Sequence, residues 1–381
     1  MDFDLTEDQS LLVDSVRKLL SDKYGFEQRK AYMASERGWS PELWAAFADI
    51  GVLGLPFAEE DGGFGAGLTD TCLIAEQFGR SLVVEPWFST VVIGGAALRH
   101  GGSAALRQEL VPLIAAGEVR LALAQQERQS RYDLFDVATT AKKSGSGWVI
   151  SGNKGMVIHG DSATHLIVSA RVAGGQRDKA GIGLFVVEAG APGVTIRGFR
   201  TVDGQRAAEI ILDNAPAAHV LGDAEAGLPV LEKVAAESIA ALAFEAVGCM
   251  DVAHAMTLDY MKTREQFGRP IGSFQALQHR AADMLVAIEQ ARSMSFYAVQ
   301  AAEETDPDER RRGISAVKVQ IGRASRLVGQ QSIQLHGGIA MTMEYACGHY
   351  FKRLTVNDGL FGNADFHLRA LADEGGLVRA A

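Results

Sequence analysis

Apolar residues near the start of the chain recur at helical spacing: Leu11, Leu12, Val16, Leu19 and Leu20, entered through a Thr6–Gln9 pair with the form of a capping box. A second helix is predicted from Ser40-Pro41, with proline at its first position, Leu43, Trp44, Phe47 and Ile50 on one side, and Gly51 and Gly54 at its end. Residues 59–67 contain Gly-Gly-Phe-Gly-Ala-Gly and read as a loop, after which helical patterning resumes from Thr69 to about Gly117. The texture then changes. From Val119 to about Gly222, short apolar runs at 121–124, 137–141, 148–150, 165–170, 183–187 and 210–212 are separated by turn residues, among them Ser144-Gly145-Ser146-Gly147. No helical stretch fits between them, so this segment is predicted as a β-barrel or sandwich. Beyond Gly227 the pattern is helical again over 231–263, 274–304 and 312–335, with a break at Asp306-Pro307. The predicted fold class is α+β: a helical domain over 1–118, a middle β-barrel over 119–226 and a helical bundle over 227–381.

Composition narrows the function classes. At 381 residues, 47% apolar and 22% charged, the chain can build two or three packed domains. Its 37 basic and 47 acidic residues give a net charge of −10, which argues against a nucleic-acid partner. No uncharged apolar run of membrane-spanning length is present, so no membrane span is predicted. The start is acidic from Asp2 and lacks the basic and apolar regions of a signal peptide, so a cytoplasmic location is expected. Cys72, Cys249 and Cys347 lie far apart, and the histidines show no metal-ligand spacing; neither a disulfide framework nor a metal is predicted. The small residues Ala240, Ala241, Ala243, Ala246 and Gly248, with Met250, fit either an internal core or packing against other subunits.

Three segments are candidates for chemistry. Arg264-Glu265-Gln266-Phe267-Gly268-Arg269-Pro270 ends one helix and turns sharply before another that begins near Gln275. Arg264 and the new helix N-terminus could together receive an anion, although an ordinary turn with surface arginines has the same spacing. In Gln334-Leu335-His336-Gly337-Gly338, the paired glycines permit close backbone approach to a ligand and Gln334 can bond a ribose or phosphate; a plain glycine cap reads the same way. His336 is read as a buried structural imidazole. Gly152 to Gly160 lies between predicted strands as a strand end facing a flat ligand or a hairpin, with His159 as a ligand contact or structural group rather than a catalyst.

Together these segments resemble the acyl-CoA dehydrogenase family over essentially the whole chain. The resemblance is carried by Phe3-Asp4-Leu5-Thr6-Glu7-Asp8-Gln9, by Leu55 through Gly65, by Gly152–Lys154, by Arg264–Gly268 and by Gln334–Gly338, in order. It implies a helical N-terminal domain, a middle β-barrel and a C-terminal four-helix bundle, assembled as a dimer of dimers. It also implies FAD as cofactor, an acyl-CoA thioester as substrate and electron-transfer flavoprotein as acceptor. In the family's α,β-dehydrogenation a glutamate removes the α-proton while hydride passes to the flavin, and the thioester carbonyl must be polarised for this. The cofactor-binding set implied for this chain is Arg264, Phe267, Gln275, Gln334, Gly337, Gly338, Gln126, Ile158, His159 and Asn363.

The chain departs from the family pattern at the base. The usual C-terminal glutamate position holds Phe361, and the alternative position on the first long bundle helix holds Ser238, followed by Ile239. Neither Phe361 nor Ser238 can accept a proton as a carboxylate does. Glu237 is adjacent but projects about 100° away around a helix. Glu245, seven residues after Ser238 in an apolar context, is the substitute candidate, although a solvated or inter-subunit carboxylate fits the same pattern. In the β domain Gln126-Glu127-Arg128, Arg131-Tyr132 and Val157-Ile158-His159 put bulky side chains where the family has small donors. The resemblance therefore extends to the smaller subunits of heteromeric members, of pimeloyl-CoA and steroid-side-chain type, where a homologous base-bearing subunit completes a heterotetramer. A self-sufficient homo-oligomer using Glu245, and a flavin-free acyl-CoA-binding scaffold, are the alternatives.

Overall fold

The computed structural model describes residues 5–375, so Phe3 and Asp4 of the opening motif lie outside the described residues. These pack as two compact units, one comprising residues 5–29, Cys72–Val83 and 239–375, the other Lys30–Thr71 and Val84–Ser238. Both units draw on separated stretches of chain.

The first unit is helical. Helix α1 (Glu7–Lys23) opens with the predicted capping box, the Thr6 side chain accepting from Gln9 N and the Gln9 side chain from Thr6 N. The helices α2 (Phe26–Ala34) and α4 (Leu68–Ser81) each cross the boundary between units; α3 (Pro41–Asp49), between them in sequence, belongs to the second unit and is capped by Ser40 as predicted. The C-terminal part of α4 packs with the long helices that come later in sequence: α7 (Leu228–Thr263) from Ile239 on, α8 (Gln275–Glu303), α9 (Pro307–His336), α10 (Ala346–Gly359) and α11 (Ala364–Asp373). Asp306-Pro307 is the start of α9, with the Asp306 carboxylate accepting from Asp308 N and Glu309 N, so that helix begins earlier than its apolar pattern predicted. A Cβ at Gly79 would stand 2.1 Å from Glu245 O, and one at Gly248 2.1 Å from Glu76 O. The backbones of α4 and α7 thus touch through these glycines, and the alanine-rich face of α7 is internal core.

A stretch of α7 is long and apolar enough to cross a membrane; Glu245 and Asp251 interrupt the run and hid it from a search for uncharged segments. Of that stretch 78% is buried inside the molecule, as in the core helix of a globular protein.

The second unit holds α3, a π-helix at Phe88–Gly94 inside the region read as plain helix, α5 (Gly95–Gly101), α6 (Ala104–Ala115) and the β domain. Its strands are β1 (Leu121–Ala124), β2 (Thr140–Ser144), β3 (Gly147–Ile158), β4 (His165–Arg171), β5 (Ile182–Glu188), β6 (Val194–Arg200), β7 (Arg206–Pro216) and β8 (His219–Leu221). They form one sheet ordered β6-β7-β3-β2-β4-β5-β8, with β1 parallel to β4. The hydrogen-bonded path runs from β6 to β8 around one core, and only Thr140 and Arg171 join β2 to β4. Strand β6 escaped the sequence reading because, as an edge strand, it is exposed at most positions. Of the two readings for 152–160 the strand end holds: residues 152–158 are the second half of β3, which shifts register against β7 twice, and His159 and Gly160 turn the chain after it.

Candidate functional site

The bundle end of the first unit gathers six predicted site residues on separate elements. After α7, the strands β9 (Glu265–Gln266) and β10 (Arg269–Pro270) make a hairpin whose turn residues Phe267 and Gly268 both have positive φ, 54° and 76°. Glycine adopts this conformation freely, phenylalanine only under strain. Phe267 is 92% exposed, and Arg264 and Gln275 are exposed beside it in sequence. Helix α8 starts at Gln275 with no side-chain cap on Phe274, leaving N–H groups directed outward. Helix α9 ends at the same place, because the His336 ring lies 4.7 Å from that of Tyr260, four residues before Arg264. Gln334, Gly337 and Gly338 are exposed there, and a Cβ on either glycine would meet nothing within 4 Å. His336 itself is buried, donates through Nδ1 to Ser332 O at 2.8 Å and has its pKa lowered by burial, the structural role expected of it. Cys347 contacts it at 3.5 Å, but burial pushes that thiol up to about 12, so it is no nucleophile.

The predicted β-domain residues behave differently. His159, in left-handed conformation at φ 52°, is turned inward: it is 1% exposed and its Nε2 lies 3.0 Å from Gln205 Oε1. Ile158 and Gln126 are half-buried, and the Gln126 carbonyl accepts from Gly155 N. What organises this place is a pair the sequence reading did not single out. Lys154 is wholly buried and its Nζ donates to Glu127 Oε1 at 2.6 Å, to Ser169 Oγ at 3.0 Å and to Gln125 O at 3.2 Å. The Glu127 carboxylate also accepts from Ala138 N and Thr139 N, closing the excursion between β1 and β2. Burial drives Lys154 down to about 8 against the pull of Glu127. Burial would raise Glu127, but the Lys154 ammonium outweighs it and holds the carboxyl at about 2.

No described residue supplies a base at the expected places. Phe361, at φ 56°, occupies a loop whose carbonyl accepts from His367 Nε2 at 2.9 Å. Ser238 is fully buried, with no partner for its hydroxyl. Glu245 is buried in a two-pronged pair with Arg353, both contacts 2.7 Å, and also receives Asn357 Nδ2 at 3.4 Å. Both oxygens of this carboxylate are therefore occupied by buried donors rather than presented to a ligand. Glu237 is paired with Arg99 and His100; burial raises its carboxyl, but His100 and then Arg99 outweigh this and hold it low. Asn363 spends its side-chain oxygen capping α11, accepting from Phe366 N at 2.9 Å. The partners of Glu245 and Glu237 lie more than 100 residues away in the chain, so nothing local in the sequence could reveal them.

The bundle end fits the diphosphate and adenosine part of a dinucleotide: an exposed arginine, an uncapped helix start and two glycines whose surroundings are open. The His159 side chain, by contrast, is buried against Gln205.

Comparison with known proteins bears on the family and the fold. Profiles of the acyl-CoA dehydrogenase N-terminal, middle and C-terminal domains match residues 6–118, 122–215 and 225–375. The mitochondrial isovaleryl-CoA dehydrogenase of Oryza sativa subsp. japonica is 30% identical over 81% of this chain and 77% of its own length. Among solved structures, a variant of the Tcur3481-Tcur3483 steroid ACAD superposes with a TM-score of 0.87 at 32% identity, covering 97% of this chain and 98% of its own. The ChsE4-ChsE5 complex from Mycobacterium tuberculosis gives 0.88 at 26% identity, covering 100% of both chains. With its three domain profiles matched in order from residue 6 to residue 375, the chain belongs to the acyl-CoA dehydrogenase family, FAD-dependent oxidoreductases acting on CH–CH bonds.

Proposed function

We propose that this chain is a subunit of a heteromeric acyl-CoA dehydrogenase, in which its bundle end completes the FAD site of a homologous, base-bearing partner. The observation that carries this reading is the contrast within the chain. Arg264, Phe267, Gln275, Gln334, Gly337 and Gly338 are all presented outward, while His159 is turned inward and the carboxylates nearest the expected base positions are spent in ion pairs. The domains are taken as 1–118, 119–226 and 227–381, the assembly as a dimer of dimers, the location as cytoplasmic and the electron acceptor as electron-transfer flavoprotein. Similarity to the steroid ACAD favours an acyl-CoA thioester on a steroid side chain over a simple fatty acyl group.

In this reading the chain's contribution is binding and orientation. Arg264 neutralises phosphate charge, the start of α8 donates backbone N–H groups, and Gly337 and Gly338 let the ligand lie against bare backbone. Phe267 supplies an apolar surface to the partner's bound dinucleotide. When bound, FAD supplies the hydride acceptor; the proton-abstracting carboxylate comes from the partner chain. Glu245 is clamped by Arg353 and has a structural role in this reading.

The test is the visible spectrum and the FAD-to-chain ratio of the protein purified alone and after mixing with a base-bearing homologue. The expected result is colourless protein alone and about one flavin per pair of chains in the mixture. One flavin per chain in an active homotetramer would sink the proposal and return Glu245 to consideration. Absence of flavin in both samples would favour an acyl-CoA-binding scaffold.

A further inference from the structure

The second unit carries a group of arginines that the dehydrogenase reading does not use. Between α2 and α3 the chain bends through Ser35–Trp39, and Trp39 is buried with its Nε1 donating to Ser162 Oγ at 3.2 Å. Two guanidinium groups lie against this one indole, Arg37 at 5.8 Å and Arg120 at 5.7 Å from the ring centroid. Arg120 is half-buried; its Nε donates to Ser162 O at 2.7 Å and its Nη1 to Gly117 O at 3.4 Å. Arg200 reaches the same bend, its Nη2 3.3 Å from Ser35 O. The acid adjoining Ser162 in the chain, Asp161, is taken by Arg206, which donates to it through Nε at 2.7 Å. Among the described residues no carboxylate lies within ion-pair distance of Arg37, Arg120 or Arg200, although the chain as a whole carries a net charge of −10. Glu36 and Glu118 are neighbours in sequence, exposed, and paired with none of the three.

Like charges gathered at a partly desolvated place without a counter-charge are unfavourable unless an anion completes them. The strain is visible in Arg120, whose affinity for its proton is lowered first by burial and then by Arg37. The arrangement also suits a particular anion. Arg120 spends Nε and Nη1 on carbonyls and Arg200 spends Nη2 on Ser35 O, so the donors a phosphate would engage are those of the exposed Arg37 fork and the remaining guanidinium N–H groups beside it.

We propose that Arg37 and Arg120, held on Trp39 and assisted by Arg200, form a phosphate-binding site on this chain, separate from the bundle end. Its ligand is the phosphate group of a nucleotide-bearing molecule. An acyl-CoA offers both a 3′-phosphomonoester and a diphosphate, and the two are distinguishable by experiment.

The test is calorimetric titration of the full-length protein, in the assembly in which it purifies, with pyrophosphate, CoA and dephospho-CoA. Arg37→Gln and Arg37→Lys are measured beside the parent. Arg37 is exposed, so these variants keep the fold, which an unchanged melting temperature verifies. Pyrophosphate should bind the parent and bind Arg37→Gln about tenfold more weakly, with Lys intermediate because it keeps the charge but loses the fork. CoA binding better than dephospho-CoA, with the difference lost in Arg37→Gln, assigns the site to the 3′-phosphate. Equal binding of the two, both weakened by the substitution, assigns it to the diphosphate. No pyrophosphate binding by the parent, or affinity unchanged in Arg37→Gln, overturns the proposal. An acidic protein that binds this face in place of phosphate would give the first of those results.

Discussion

At the scale of single residues, two buried ion pairs have different surroundings but the same physics. Lys154 and Glu127 have side chains 0% and 3% exposed, and Glu245 with Arg353 is nearly as deep. A buried pair contributes little net stability, yet removing one partner strands the other charge. Lys154→Met should therefore destabilise the protein by about 3–5 kcal/mol in urea unfolding, and adding Glu127→Gln should recover part of that loss. Recovery is incomplete because Glu127 also accepts from Ala138 N and Thr139 N. Glu245→Gln and Arg353→Met should each cost a similar amount, about 3–5 kcal/mol. That equality separates the structural role of Glu245 from a catalytic one: a base would lose turnover on Glu245→Gln while the melting temperature stayed put. Sequence placed Glu245 in an apolar context and so suggested a raised, useful pKa. It could not supply Arg353, because a tertiary partner leaves no trace in local pattern.

At the scale of elements, the turn between α10 and α11 is braced from several sides. Lys318, wholly buried on α9, donates to Asn357 O and Asp358 O, both at 3.0 Å, and so satisfies carbonyls at the end of α10. Burial brings that lysine down to about 8. His367 on α11 holds the Phe361 carbonyl and meets Ser315 Oγ at 3.0 Å, and burial lowers it from 6.5 to about 4, aided by Lys318. Between those two values the unfolded chain takes up a proton that the folded chain refuses. Stability from this group is therefore complete above pH 6.5 and is lost as pH falls toward 4. The melting temperature of the parent should drop over that window more steeply than that of His367→Gln, and parallel curves would remove His367 from the account. Elements of this kind were unevenly legible. The Thr6 and Ser40 starts were readable because capping is local chemistry, whereas Asp306-Pro307 read only as a break although it caps α9. The π-helix at Phe88–Gly94 and the edge strand β6 were not, since one shares the apolar content of an ordinary helix and the other has little buried face.

At the scale of the whole molecule, the three-part order of the chain was legible because the hydrophobic period changes twice, whereas sheet closure and ion-pair partners depend on contacts distant in sequence. The candidate site divides in the same way. Glycines and a turn marked the bundle end, but the burial of His159 against Gln205, 46 residues on, leaves no mark in local pattern. Phe267 offers a decisive test of what the bundle end is for. It holds a φ of 54° and is 92% exposed, so within this chain it bears strain and buries almost nothing. If its role is internal, Phe267→Gly should lower stability. If it serves a partner's cofactor, glycine at this left-handed position should leave the melting temperature of the isolated chain unchanged or raise it, by no more than about 1 kcal/mol of stability. The same substitution should reduce the flavin that the mixed complex retains through gel filtration. Retention equal to that of the parent would mean that the hairpin does not contact the dinucleotide, and the assignment of the bundle end to a partner's flavin would lose its main support.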